Sequence, residues 1–394
     1  MLYTHTMRLL LALLALSACG GTTMATNEHH LGWRLRGQLH ADVREGETLF
    51  LVSERWNEGQ WQGLGFQRRQ PGSFDMISDV LWTIRLGAFI DQNGDGQHQL
   101  SEPAVHAAVE FEPSSDRDYG TRDGIVLRVH RSSRLRQRLT IADTERRSIS
   151  AGEVVSLDDA LFSLEAAELG VRDPLQFMRD YTAGFFLLAP WDEDKEPVFF
   201  VHGLGGSVRQ MQPIIQALDT ERFQPVLTVY PSGWRLADVA TYFDDVLDEF
   251  VAAYPATNIH IIAHSMGGLV VRKALGERSR RGGENVVRTF TSIASPLGGH
   301  PSALAGVRFA PRSVPAWSDL ALPSAFLRDL YRDPLPEGMV YRLLFTTQDE
   351  SVPLESQQRD SAMREASATL GVDAGHVEVL ARPETLDFVC APFH

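Results

Sequence analysis

The chain has 394 residues, 43% of them hydrophobic, and a formal net charge of −14 from 51 acidic and 37 basic side chains. That length supplies apolar residues for two ordinary cores. The acidic balance excludes a nucleic-acid binder, and equally a protein held by charge on anionic lipid. The only cysteines are Cys19 and Cys390, too few for a disulfide framework, so stability must come from packing.

In chain order, the amino terminus reads MLYTHTMRLLLALLALSAC, with one arginine, an apolar run from Leu9 to Leu16, and then Ser-Ala-Cys. This is a signal peptide over residues 1–18, too short to span a membrane as a mature helix. It resembles a bacterial lipoprotein signal, which implies cleavage before Cys19 and lipidation of that cysteine. Initiation at Met1 or at Met7 remains open. Gly20, rather than Asp, implies the outer membrane. The expected location is the bacterial cell envelope, reached through the lipid anchor, with a secreted or periplasmic protein as the alternative.

Residues 31–130 carry short segments with partial alternation, among them WRLRGQLH, ETLFLVSE and WTIRLGAFI, punctuated by Gly, Pro, Asn and Asp. They predict a small all-β sandwich, similar to the transthyretin-like or carboxypeptidase-regulatory kind. Inside it, DQNGDGQHQLSE places oxygen-bearing side chains at Asp91, Asn93, Asp95 and Glu102, with Gly96 at the sixth position. That is the spacing of a calcium loop, with the carbonyl of Gln97 as a further ligand. The flanks are strand-like, so the expectation is a structural calcium ion in a β–β connection, against the alternative of a metal-free Asn-Gly/Asp-Gly turn. Residues 131–184 begin with RSSRLRQRLTIADTERR, read as a solvated linker, or an edge strand followed by one, against the alternative of an anionic-lipid patch. SLDDALFSLEAAELG and DPLQFMRDY follow with helical spacing, the second with Pro174 near its start, as a lead-in to the next domain.

From residue 185 to 394 the pattern changes to continuous apolar runs, each ending in a chemically loaded turn. PVFFV (Pro197 to Val201) runs into HGLGGS, whose glycines let N–H groups approach a developing oxyanion. NIHIIAHSMGG gives strand, turn and helix around Ser265, the order a nucleophile elbow needs, with Ala263 where G-x-S-x-G has its first Gly. By position, Leu204 and Met266 supply the two oxyanion N–H groups. YRLLFTT leads into QDESVP and puts Asp349 at a strand's carboxyl end, with Glu350 as its nearest competitor. GVDAGHVEVL then offers His376. Ser265, Asp349 and His376 stand in the chain order of an α/β-hydrolase triad.

These strings, together with ASPLGG at Ala294 to Gly299, resemble the bacterial lipase and GPI-inositol-deacylase-like group of α/β-hydrolases. The resemblance implies a mostly parallel sheet with helices on both faces. It also implies a serine carboxylester hydrolase acting on lipid or lipophilic small-molecule esters through an acyl-enzyme, with no cofactor for catalysis. A lid-like insertion is expected at about 300–338, where six prolines interleave with apolar residues. A thioesterase or amidase would use the same residues, and a silent, surface-anchored binding protein on a hydrolase fold is the non-enzymatic alternative.

Overall fold

A computed structural model describes residues 33–391 apart from 45, 58–59, 70, 79–83, 110–119, 141–149, 255, 283–284 and 310–313. Two compact units result, one within residues 24–148 and the other from Ile149 onward.

The first unit holds strands β1 (Trp33–Ala41), β2 (Thr48–Asn57), β3 (Gln60–Arg69), β4 (Gly72–Ser78), β5 (Ile84–Asp91), β6 (Ala104–Val109) and β7 (Gly120–Val129). They form a three-stranded sheet, β4-β1-β7, and a four-stranded one, β3-β2-β5-β6. Side chains alternate across a strand, so Leu49 and Leu51 of β2 share one core with Leu35, Phe74, Leu86, Ile90 and Leu127, contributed by both sheets. Phe50 and Val52 point the other way, into a second cluster with Phe89 and Leu139. Leu139 comes from the segment read above as solvated linker. It reaches the sheet because Gly87 has no side chain, a Cβ there standing 2.5 Å from a Leu139 methyl, and because Leu139 donates its N–H to His98 Nδ1 at 2.8 Å. Both faces of β2 are therefore covered, which explains its unbroken apolar run.

The second unit is built on eight strands: β8 (Ser150–Val154), β9 (Gly184–Leu187), β10 (Glu196–Val201), β11 (Phe223–Val229), β12 (Ile259–His264), β13 (Val287–Ile293), β14 (Val340–Thr346) and β15 (Ala368–Val372). Their order is β15-β14-β13-β12-β10-β11-β9-β8. From β15 to β11 all neighbours are parallel, and β9 runs antiparallel to β11. The sheet thus begins 35 residues before residue 185, where the domain is expected to open: β8 is a short edge strand, SAGEV, with no apolar signature. Phe185 and Phe199 face Phe250 on one side of the sheet, and Phe186 and Phe200 enter the large cluster on the other. The helix Leu236–Ala253 covers the first side with Val239, Phe243, Val246, Leu247 and Phe250, an i, i+4, i+7, i+8, i+11 stripe.

The chain steps from β10 to β11 on one side, then returns across β10 to β12 on the other. At such a switch point the loops beyond the strand ends diverge and leave a crevice. The turns after β10 and β12 meet there.

The region expected to be lid-like contains three short helices, Ala303–Phe309, Pro315–Leu320 and Ala325–Asp329. The middle one is tied down. Buried Asp319 accepts the N–H of Leu236 at 2.7 Å and the Arg235 guanidinium at 3.3 Å, so it caps the helix Leu236–Ala253 from outside, where a carboxylate also meets the positive end of the dipole. Ala316 N–H bonds Gly233 O at 3.1 Å. Asp319→Ala leaves a buried N–H without its acceptor, at about 1–3 kcal/mol; thermal unfolding should show a lowered midpoint with an unchanged far-ultraviolet spectrum at room temperature.

Candidate active site

β12 is buried throughout and ends at a serine with φ 56° and ψ −131°. A non-glycine residue there costs of order 1–3 kcal/mol and persists only when its surroundings impose it. They do so here. Ser265 N–H bonds Ile293 O at 2.8 Å. The helix Met266–Arg281 starts so close to β10 that a Cβ on Gly267 would lie 2.6 Å from His202 O, and one on Gly268 2.1 Å from Ser295 Oγ. Ala263 is still in the strand, paired with Val201 and Ser292, so no glycine is needed at that position.

His376 joins Ser265 to Asp349: its Nε2 is 2.9 Å from Ser265 Oγ and its Nδ1 2.8 Å from Asp349 Oδ2. Burial works to raise the Asp349 carboxyl, but hydrogen bonds from His376, Val352 N–H and Ser351 N–H outweigh it and hold the group below the usual carboxylate range. An ionised Asp349 can only accept, so the imidazole proton sits on Nδ1 and Nε2 is left to receive the Ser265 hydroxyl proton. The other sequence candidate, Glu350, is exposed.

Two further histidines flank this line. His264 directs Nε2 to His376 O at 2.9 Å, its ring 4.7 Å from that of His376. His202 stacks on Tyr230 at 4.2 Å, with Nδ1 2.9 Å from Gly203 O. Burial pushes His264 down to about 3, helped by the nearby His376, and His202 down to about 4. Both are neutral spacers.

The glycine loop lies against the serine, since a Cβ on Gly203 would stand 3.1 Å from Ser265 Oγ. Within that loop, Gly205 N–H is committed to Ser232 Oγ at 3.0 Å and Gly206 N–H to Gly203 O at 3.2 Å. Leu204, just before them, and Met266, first residue of its helix and so without an intrahelical acceptor, carry the two N–H groups assigned from sequence to an oxyanion. Such a pair beside a serine–histidine couple can stabilise a tetrahedral alkoxide.

The residues expected to bind calcium lie in the first unit. Asp91 accepts N–H from Gly94 at 2.8 Å and Gly96 at 2.9 Å, and Glu102 accepts from Gln92 at 2.7 Å and Gln99 at 2.8 Å. Asn93 accepts from Asp95 N–H, and Asp95 from Gln97 N–H. The donor set is hard oxygen, as calcium requires, but the oxygens turn onto the loop's own N–H groups. Among the described residues no three of His, Cys, Asp or Glu stand where they could hold a metal ion. Cys19 and the signal segment lie outside the described residues, among which no helix is long and apolar enough to cross a membrane.

Residues 198–386 match the alpha/beta hydrolase family model, and the second unit has the α/β-hydrolase fold, a large and mostly parallel sheet with helices. The chain is similar to a mature lipase of Bacillus licheniformis (16% identity, 53% of this chain and 97% of that one, TM-score 0.42). It is also similar to Aspergillus fumigatus lipase B (19%, 63% and 60%, 0.44) and to a type II thioesterase of the borrelidin biosynthetic cluster (17%, 53% and 95%, 0.37). Comparison with curated proteins finds no match.

The neutral histidines set an acid limit on stability. Their folded values, about 4 and about 3, lie below the ordinary 6.5. The unfolded chain therefore takes up protons first as pH falls below about 6.5, and stability is lost by up to about 1.4 kcal/mol per pH unit for each histidine. Denaturant unfolding at pH 7, 6 and 5 should show this decline, and His264→Gln, which keeps a donor for His376 O, should make it shallower. An unchanged slope in the variant contradicts the assignment.

Proposed function

We propose that the chain is a serine carboxylester hydrolase acting on lipid or lipophilic acyl esters, held at the bacterial cell envelope through Cys19. The observation that carries the reading is the continuous hydrogen-bonded line from Ser265 Oγ through His376 to Asp349. The anchor is supported by Arg8, the apolar run Leu9 to Leu16 and the Leu-Ser-Ala-Cys that ends at Cys19.

In the reaction, Ser265 Oγ attacks the ester carbonyl as its proton passes to His376 Nε2. Asp349 stabilises the imidazolium and stays ionised. The oxyanion rests on the N–H groups of Leu204 and Met266, each donor contributing roughly 3–4 kcal/mol. His376 returns the proton to the departing alcohol, leaving an acyl group on Ser265. Water, deprotonated by the same histidine, attacks that acyl carbon; the acid is released and Ser265 regains its proton. The residues needed are all in the chain.

A series of p-nitrophenyl esters of increasing acyl length tests the reading. The parent protein should turn over at least part of the series. Ser265→Ala should abolish turnover, and His376→Ala should lower it roughly a thousandfold or more, with both variants folded by circular dichroism. No turnover above Ser265→Ala on any ester would overturn the ester reading and turn attention to thioesters and amides.

A further inference from the structure

Asp349 is held by more groups than an acid partner of histidine requires. Its Oδ1 belongs to the turn, accepting N–H from Ser351 and Val352, both at 2.8 Å. Its Oδ2 takes three donors: His376 Nδ1 at 2.8 Å, Thr346 Oγ1 at 2.9 Å and Gln357 Nε2 at 3.1 Å. Thr346 is the last residue of β14 and Gln357 closes the short helix Leu354–Gln357. They are 0% and 1% exposed, so bulk water does not compete for these bonds.

The orientation of the Gln357 amide follows from its neighbours. Its oxygen accepts Thr346 N–H at 2.9 Å and its nitrogen donates to Val352 O at 2.9 Å. A flipped amide would set two acceptors, and two donors, face to face. The other Nε2 hydrogen is shared between Asp349 Oδ2 at 3.1 Å and Thr346 Oγ1 at 3.0 Å. The Thr346 hydroxyl has a choice between Asp349 Oδ2 and Gln357 Oε1 at 3.2 Å, and the charged acceptor is the stronger.

We propose that Thr346 and Gln357 form a clamp that fixes Asp349 Oδ2 against His376, making both positioning residues of the hydrolysis. The proposal rests on the reading of Asp349 as the acid of that reaction. The clamp does two things. It prevents the carboxylate from rotating about its Cβ–Cγ bond, so the acceptor stays in line with Nδ1. By sharing the negative charge of Oδ2 among three donors, it also keeps the proton on His376 rather than letting it pass to the acid. Other titratable groups near the pair are His264, whose ring faces His376, His300 on Ser351 O, and Asp373, bonded to Thr347 Oγ1 at 2.8 Å.

Thr346→Val keeps the shape and removes the hydroxyl. Assayed on the best p-nitrophenyl ester, it should lower kcat about tenfold, within the cost of a small misplacement of a catalytic group, with KM within about twofold. The acid limb of kcat/KM should move to higher pH, because a carboxylate with fewer donors stabilises the imidazolium more. Thr346→Ser should restore rate and profile. Gln357→Glu, which keeps the acceptor for Thr346 N–H and replaces the donor by a second carboxyl, should move the limb the same way. A parent-like kcat and acid limb in Thr346→Val overturns the clamp, as does equal impairment of Thr346→Val and Thr346→Ser, which would indicate packing. Asp349→Ala separates the two levels. If it too keeps the parent rate, the acid itself is misassigned; if it collapses while Thr346→Val is silent, only the clamp fails.

Discussion

A serine forced to φ 56° between a buried strand and a buried helix is the constraint on which the rest of the site depends. The conformation is unfavourable by itself, so the energy must come from packing around it. That requirement explains Gly267 and Gly268, which let the following helix settle against the ends of β10 and β13. It also explains why the helix is buried over its first three turns, Met266 to Gly276, where a surface helix would show one polar face. The same closeness brings Gly203 against Ser265 and aligns the glycine loop with that serine. Strain, close approach and chemistry have one cause.

Charge is managed as tightly as shape. Around His376 stand two histidines that burial keeps neutral and one carboxylate that five donors keep ionised. A second cation or an uncharged acid at any of these places would work against protonation of His376. The insertion is drawn into the same framework, since Asp319 caps a helix that packs on the central sheet.

The parts of this arrangement legible in the sequence are those fixed by local backbone need. Glycines beside Ser265 and His202 mark close approaches, and the apolar runs before them mark strands buried on both faces, so Ser265, Asp349 and His376 could be read in order. Thr346 and Gln357 could not. They are ordinary residue types whose role arises only when the end of β14 and a glutamine eleven residues further on meet at one oxygen, and no spacing rule encodes that. β8 was hidden for a different reason: an edge strand pairs on one side and needs no apolar run. The Arg-rich stretch after β7 reads as solvated because its arginines outnumber its apolar residues. Yet one leucine, fitted over Gly87, anchors it to the sheet. The loop from Asp91 to Glu102 has the spacing of a calcium site; that its carboxylates also accept the loop's own N–H groups is not legible in that spacing.

The central claim is that Ser265 is a nucleophile activated by His376. Reaction with a fluorophosphonate, followed by peptide mass spectrometry, tests it without knowledge of the natural substrate. The account expects one covalent adduct, on Ser265, that forms in the parent protein and is lost in His376→Ala. An adduct on another residue, or none on a folded parent protein, would contradict it.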